Sequence, residues 1–253
     1  MTAIAVAYDP IASRFVIAAD GRCASDALPM VIKTDKQQKI FPIQKEHMTI
    51  AYAMTGFAST DDGSFETIVE ADRQVKLLAK RQFVDGYEFS GKFCFNMTRV
   101  IEKALETGRI AKISASEELP QEERGRMLRF FILGFFKRKA FWRIASFYHN
   151  EMTHRLSVRP QDLELSQFRF ACTGSDKIAS MIYGNATVDP RIAAYKHTPS
   201  GDAEALTATT NFVKACSDPA AVAVDPWCRI VGGYIHAAEL TQIGFRWLIP
   251  PVI

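Results

Sequence analysis

The chain opens with Thr2-Ala3-Ile4-Ala5-Val6-Ala7-Tyr8, turns at Asp9-Pro10, and returns as Arg14-Phe15-Val16-Ile17-Ala18-Ala19-Asp20-Gly21-Arg22. Ile4, Val6 and Tyr8 alternate with Ala3, Ala5 and Ala7, so the first strand carries one bulky face and one small face. Asp9-Pro10 supplies turn chemistry, and Phe15 to Ala19 is almost wholly apolar, the mark of a strand buried on both faces. Such a strand needs one layer above it and another below. Two more strands are expected around Gln38 to Ile43 and Met48 to Met54, the second running into Thr55-Gly56.

The periodicity then changes from strand to helix. Phe65, Ile68, Val69, Val75, Leu78 and Ala79 fall mostly on one helical face, with Ser64 as the expected N-cap. A second helix carries Phe93, Met97, Val100, Ile101, Ala104 and Leu105, and Gly108 is placed to end it in a left-handed conformation. Residues 111 to 124 are polar and charged and read as a connection or an exposed excursion. Strands return at Phe130 to Phe136 and Phe141 to Tyr148, joined by Lys137-Arg138-Lys139. Phe168 to Cys172 is a further strand, stopped by Thr173-Gly174-Ser175. Helices follow at Ile178 to Ile182, with Gly184 as the stop, and at about Asp202 to Cys216. Arg229 to Ala238 and Gly244 to Ile249 are again strand-like.

Strands, two helices, strands, two helices, strands: helices grouped between runs of strands argue for stacked layers, not an alternating parallel sheet. The expected fold is α+β, a four-layer αββα sandwich of two antiparallel sheets flanked by helices, formed by residues 1–253 as a single domain. Hydrophobic content of 48% and charged content of 23% suit a globular chain with a sizeable core. A net charge of +3 is too mild to argue for nucleic acid, and the basic run at 137–139 lies between aromatic residues as a solvated hairpin. The 5 cysteines are scattered, with no C-x-x-C pair, which fits a reducing cytoplasm better than a disulfide framework or zinc site. No charged leader precedes an apolar segment, and Phe130 to Phe136 is too short to cross a bilayer, which takes about 20 residues. No metalloprotease, nucleophile-elbow, P-loop or dinucleotide motif occurs, and the histidines do not fall at metal spacing. No cofactor, metal, nucleic-acid or membrane partner is expected.

Chemistry gathers near the start. A threonine bearing its own free α-amine can act as nucleophile and base in one residue, and Thr2 would acquire that amine on removal of Met1. Thr2, Ala-Ala-Asp-Gly-Arg at 18–22, Lys-Ile-Phe-Pro-Ile at 39–43 and Thr-Gly at 55–56 resemble the β-type subunits of proteasomes and their HslV-like bacterial relatives, within the N-terminal nucleophile hydrolases. The match is dense over residues 2 to 58 and thinner at Thr173-Gly174-Ser175 and Val231-Gly232-Gly233. The resemblance implies a threonine-type peptidase acting on peptides or unfolded proteins, in a ring or other self-compartmentalising homo-oligomer. An ATPase partner is left open. Thr2 takes the nucleophile's place, with its amine accepting the hydroxyl proton. Lys39 takes that of the lysine beside it, Asp20 that of the lysine's acidic partner, and Gly56 that of the oxyanion-binding amide. Ser175 matches a later serine of the active-site surroundings. By the same alignment Cys23, Met54 and Ala58 line the first specificity pocket, apolar and suited to large apolar residues.

Each residue has a simpler reading as well. Thr2 could be an ordinary second residue, Lys39 a surface charge, Asp20 and Gly56 turn residues, and Ser175 a helix cap. The three pocket residues could be core. The chain also departs from the family pattern, which places an Asp three residues before Ser-Gly-Gly. Here Val231 stands for the Ser and Cys228 for the Asp, with Asp225 available only through a short insertion. Ala24, followed by Ser25, stands where a small hydroxyl residue is usual. Two other functions stay open: a catalytically silent assembly protein of the same fold, and an amidase of the superfamily acting on a small amide.

Overall fold

The first hairpin of the computed structural model, β1 (Ile4–Asp9) and β2 (Arg14–Ala19), pairs Val6 with Ile17 and Ile4 with Ala19. The structure describes residues 2–24, 31–60, 62–110, 125–150, 153, 155–184, 189–196 and 204–252. Met1, Ser25, the polar segment 111–124 and the expected helix start at Asp202 lie outside them. A short pair, β3 (Cys23–Ala24) and β4 (Ile32–Thr34), precedes the hairpin β5 (Ile40–Lys45) and β6 (Met48–Gly56). Helices α1 (Thr67–Leu78) and α2 (Gly86–Glu106) come next. Then follow β7 (Arg126–Phe136), β8 (Lys139–Asn150), β9 (Arg155–Asp162) and β10 (Arg169–Thr173). The chain continues through α3 (Asp176–Tyr183), α4 (Pro190–Ala193), α5 (Ala205–Ser217), α6 (Ala221–Val224), β11 (His236–Thr241) and β12 (Gly244–Ile249).

Two five-stranded antiparallel sheets result, ordered β10-β1-β2-β11-β12 and β5-β6-β7-β8-β9. Three apolar clusters explain their placement. Ile4, Val6, Phe15 and Ile17 of the first sheet meet Ala51, Ala53, Phe131, Leu133 and Trp142 of the second. The opposite side of β6, β7 and β8, with Tyr52, Met54, Phe130 and Phe147, packs on Phe89, Phe93 and Met97 of α2 and Val75 of α1. On the first sheet Ala3, Ala5 and Ala18 pack against Ile178 of α3 and Phe212, Val213 and Cys216 of α5. The small face of β1 thus admits a helix at close range and its large face fills the space between sheets. β1 and β2 are covered on both sides, as the apolar second strand demanded.

Several expected details change. The first helix begins after Glu66, not Ser64, and Glu66 makes no side-chain cap bond. Val69 turns outward while Glu70, Ala71 and Gln74 are buried, because the inward face is set by Ala71, Val75 and Leu78. Gly108 does take φ +70°, just past the end of α2. The Lys-Arg-Lys hairpin is present, with Lys137 and Arg138 both at positive φ. The strand expected from Arg229 begins only at His236, since Pro226–Ile230 forms a 3-10 helix and Gly232-Gly233 turns the chain. The edge strand β9 went unread because its residues are mostly exposed and polar and its apolar pattern is weak.

Candidate active site

The two sheets meet at a seam where Thr2, Asp20 and Lys39 converge. Thr2 precedes β1, Asp20 follows β2, and Lys39 precedes β5 of the other sheet. All three are buried, Asp20 with no exposed surface. The Lys39 ammonium donates to Thr2 Oγ1 at 3.0 Å, to Asp20 Oδ1 at 3.1 Å and to the Arg22 carbonyl at 2.5 Å. Three donors meet three acceptors, so the cation is fully satisfied without water. Because Thr2 Oγ1 accepts from the lysine, its own proton is left to point elsewhere.

Asp20 is held equally firmly. Oδ1 accepts from Ala3 N at 2.9 Å as well as from Lys39, and Oδ2 accepts from Gly232 N at 3.1 Å and Arg22 N at 3.3 Å. In return Asp20 N donates to the Ala3 carbonyl at 3.1 Å, fixing the start of β1 against the end of β2. The Val231-Gly232-Gly233 segment is drawn in by the Arg22 guanidinium, which donates to the Arg229 and Val231 carbonyls and pairs with Asp35 at 2.7 Å. Gly232 has φ +140°, and a Cβ there would lie 3.1 Å from Arg22 Cζ. A side chain there would be strained at this φ and would crowd the guanidinium that draws the segment in.

Gly56 ends β6 opposite Leu128 and is solvent-exposed, at φ +106°, with the next amide, Phe57 N, donating to Met127 O at 2.8 Å. Its neighbour Thr55 donates its hydroxyl to the Thr2 carbonyl at 3.4 Å. Ser175 is buried between β10 and α3 and caps that helix, its Oγ accepting from Ile178 N at 3.2 Å. Gly174 before it packs on Ala3, where a Cβ would lie 3.2 Å from Ala3 Cα. The cap role and proximity to the start of β1 therefore coexist.

Asp225 caps the 3-10 turn, accepting from Trp227 N at 3.1 Å. Cys228 instead faces Ser175 and Cys216. The hydrogen bond from Cys216 draws the Cys228 thiol below its usual range, while burial pushes the Cys216 thiol up. Cys23 on β3 and Ala58 beyond β6 are half-buried, and Met54 is buried in the cluster on the helix side. The three share no hydrogen bond among the described residues.

Four residues of the seam had drawn no attention or only part of it. Thr55 bonds the nucleophile candidate's backbone. Arg129 of β7 ties the sheets, donating to Ser146 Oγ at 2.9 Å and Thr173 Oγ1 at 3.4 Å. Gly232 supplies an amide to Asp20, and His236 accepts from Lys39 N at 3.0 Å. Thr55 and the Gly-Gly pair lay within quoted motifs, whereas Arg129 and His236 left no local signal. Among the described residues no group of three His, Cys, Asp or Glu is placed to hold a metal ion, and no helix is long and apolar enough to cross a membrane. Neither a protein-family model nor a curated protein matches the chain. Function must be argued from these side chains.

Proposed function

We propose that the chain is a threonine-type peptidase whose nucleophile is Thr2 Oγ1 once Met1 has been removed, built on the four-layer αββα sandwich of the N-terminal nucleophile hydrolases. The observation that carries this is the 3.0 Å contact of the Lys39 ammonium with Thr2 Oγ1, held by a buried carboxylate whose remaining capacity is filled by backbone amides. A surface lysine or a turn aspartate has no need of such a setting.

The chemistry follows from the groups. The α-amine of Thr2, directly or through one water, takes the hydroxyl proton as Oγ1 attacks a peptide carbonyl. The Lys39 ammonium lowers the cost of charge on Oγ1. The oxyanion of the tetrahedral intermediate is met by the Gly56 amide, a type of donor worth roughly 3–4 kcal/mol elsewhere. As the intermediate collapses, the protonated α-amine returns its proton to the leaving nitrogen, which releases the amine product and leaves an ester on Thr2. Water, deprotonated by the same amine, then hydrolyses that ester. Peptides or unfolded proteins as substrates, an apolar first pocket around Cys23, Met54 and Ala58, a homo-oligomeric ring-like assembly and a cytoplasmic setting belong to the same proposal and rest on the family resemblance.

Two measurements test it. Intact mass of the purified chain is expected to lack Met1, and a peptidyl electrophile is expected to add once, to Thr2, and not to Thr2→Ala. A chain that keeps Met1 and resists the electrophile leaves the fold as an assembly protein and sinks the peptidase. Fluorogenic peptides ending in Phe, Arg or Glu are expected to be cleaved in favour of Phe, and a preference for Arg or Glu refutes the apolar pocket.

A further inference from the structure

Lys39 must present its ammonium at one point, yet it stands just outside the regular ladder. Pairing of β5 with β6 begins at Ile40 opposite Ala53, so the Lys39 amide has no strand partner. A buried amide without a partner is costly. Its partner is Nε2 of His236, at 3.0 Å, reaching from the other sheet. His236 is the first residue of β11 and lies opposite Ala19, the residue before Asp20. It is 1% exposed, and its ring packs against Trp247 with centroids 6.0 Å apart.

The chemistry of this contact is one-sided. An amide can only donate, so Nε2 must carry no proton, and the other ring nitrogen bears it. The backbone of Tyr234, two residues earlier, lies beside the ring and favours its protonated form, against burial and the Lys39 charge. Tyr234 N in turn donates to Asp35 O at 2.8 Å, and Asp35 holds Arg22, whose carbonyl receives the Lys39 ammonium. Lys39 is therefore held at its amide by β11, which pairs with the strand before Asp20, and at its ammonium by Asp20 and Arg22. We propose that His236 is a positioning residue: as a neutral acceptor for the Lys39 amide, it fixes the lysine backbone so that the ammonium lies between Thr2 Oγ1 and Asp20. Burial, and next the charge of Lys39, hold its pKa down at about 4, which keeps the ring an acceptor near neutral pH. The catalytic consequence rests on the threonine-nucleophile proposal, whereas the clamp itself does not.

The test compares His236→Gln, whose side-chain oxygen can replace Nε2 as acceptor, with His236→Leu, which fills similar space without one. The probe is a peptide vinyl sulfone with Phe at its reactive end, added to the chain lacking Met1. Displacement of a reacting group by about 1 Å costs on the order of 100-fold, so His236→Leu is expected to slow capture of Thr2 by about 10- to 100-fold at unchanged probe affinity. His236→Gln is expected to recover most of the rate. A folded Leu variant that reacts as fast as wild type, or Gln and Leu variants that are equally slow, overturns the proposal. Should wild type not be captured at all, the peptidase falls, and the clamp is decided by the Lys39 amide resonance. An upfield move in the Leu variant with return in Gln upholds it, and an unchanged resonance in Leu refutes it.

Discussion

Asp20 accepts four hydrogen bonds with no surface exposed to water, so replacing it is costly in a way that can be argued atom by atom. Asp20→Asn keeps the size but turns one acceptor oxygen into an amide group facing donors, and leaves the Lys39 charge without its counter-ion. Breaking one side of a buried pair costs about 3–5 kcal/mol, so denaturant unfolding is expected to show a loss of that order and Thr2 capture to be nearly lost. A loss under about 1 kcal/mol would mean the pair is solvated. His236 sets a pH dependence. Its pKa of about 4 in the folded chain lies below the ordinary 6.5, so between these values the unfolded chain binds more protons. The stabilisation is complete above about pH 6.5 and disappears as pH falls towards 4, amounting to about 3 kcal/mol. The nearby charges, Lys39 and Asp20, are an ion pair and leave the sign unchanged. Unfolding curves from pH 7 to 4 are expected to flatten over this window in His236→Leu. Asp20 and Lys39 were singled out in the sequence only through the resemblance that their short, ordered motifs carry, and Thr2 also by the amine it would gain on loss of Met1. His236 was not, since its partner is an amide 197 positions away.

Among elements, the segment between α6 and β11 departs most from its expected form and explains why the late part of the site was hard to read. Arg229 to Ala238 has strand composition, but Pro226 starts a 3-10 turn capped by Asp225, and Gly232-Gly233 folds the chain back onto Gly21 and Asp35. Local propensity gave way to three backbones converging on one carboxylate. Gly232→Ala is therefore expected to do more than strain φ +140°. Its methyl would meet the Arg22 guanidinium and push the Gly232 amide off Asp20. Strain of this kind costs about 1–3 kcal/mol, and a melting-temperature drop with slower Thr2 capture is the expected pair of results. An unaffected capture rate would show that the Gly232 amide does not position Asp20. The hairpins β1–β2, β5–β6 and β7–β8 were legible from their alternation and turns, whereas β9 is defined by pairing with β8 and little else.

In the whole molecule the site lies at the seam between sheets: Thr2 and Asp20 come from one sheet, Lys39 and Gly56 from the other. The inter-sheet core must then set the distances between these groups that the proposed chemistry needs, and its two ends are expected to behave differently. Ala53 faces that core and pairs with Ile40, next to Lys39. Phe15 lies at the far end of β2, packed on Tyr8, Phe135 and Trp142 with centroids 4.5, 5.5 and 6.0 Å away. The five residue-to-residue steps from Phe15 to Asp20 span roughly 16 Å. Phe15→Ala opens a cavity and is expected to cost about 3–5 kcal/mol, without altering Thr2 capture by molecules that remain folded. Ala53→Leu inserts bulk between the sheets beside the seam, at about 1–3 kcal/mol, and is expected to slow capture by more than its stability cost explains. Denaturant midpoints and capture rates measured on both variants separate the two effects. If the remote, more destabilising Phe15→Ala slows capture more than Ala53→Leu does, the site follows global stability, and the spacing of the sheets at the seam is not what aligns Lys39 with Thr2.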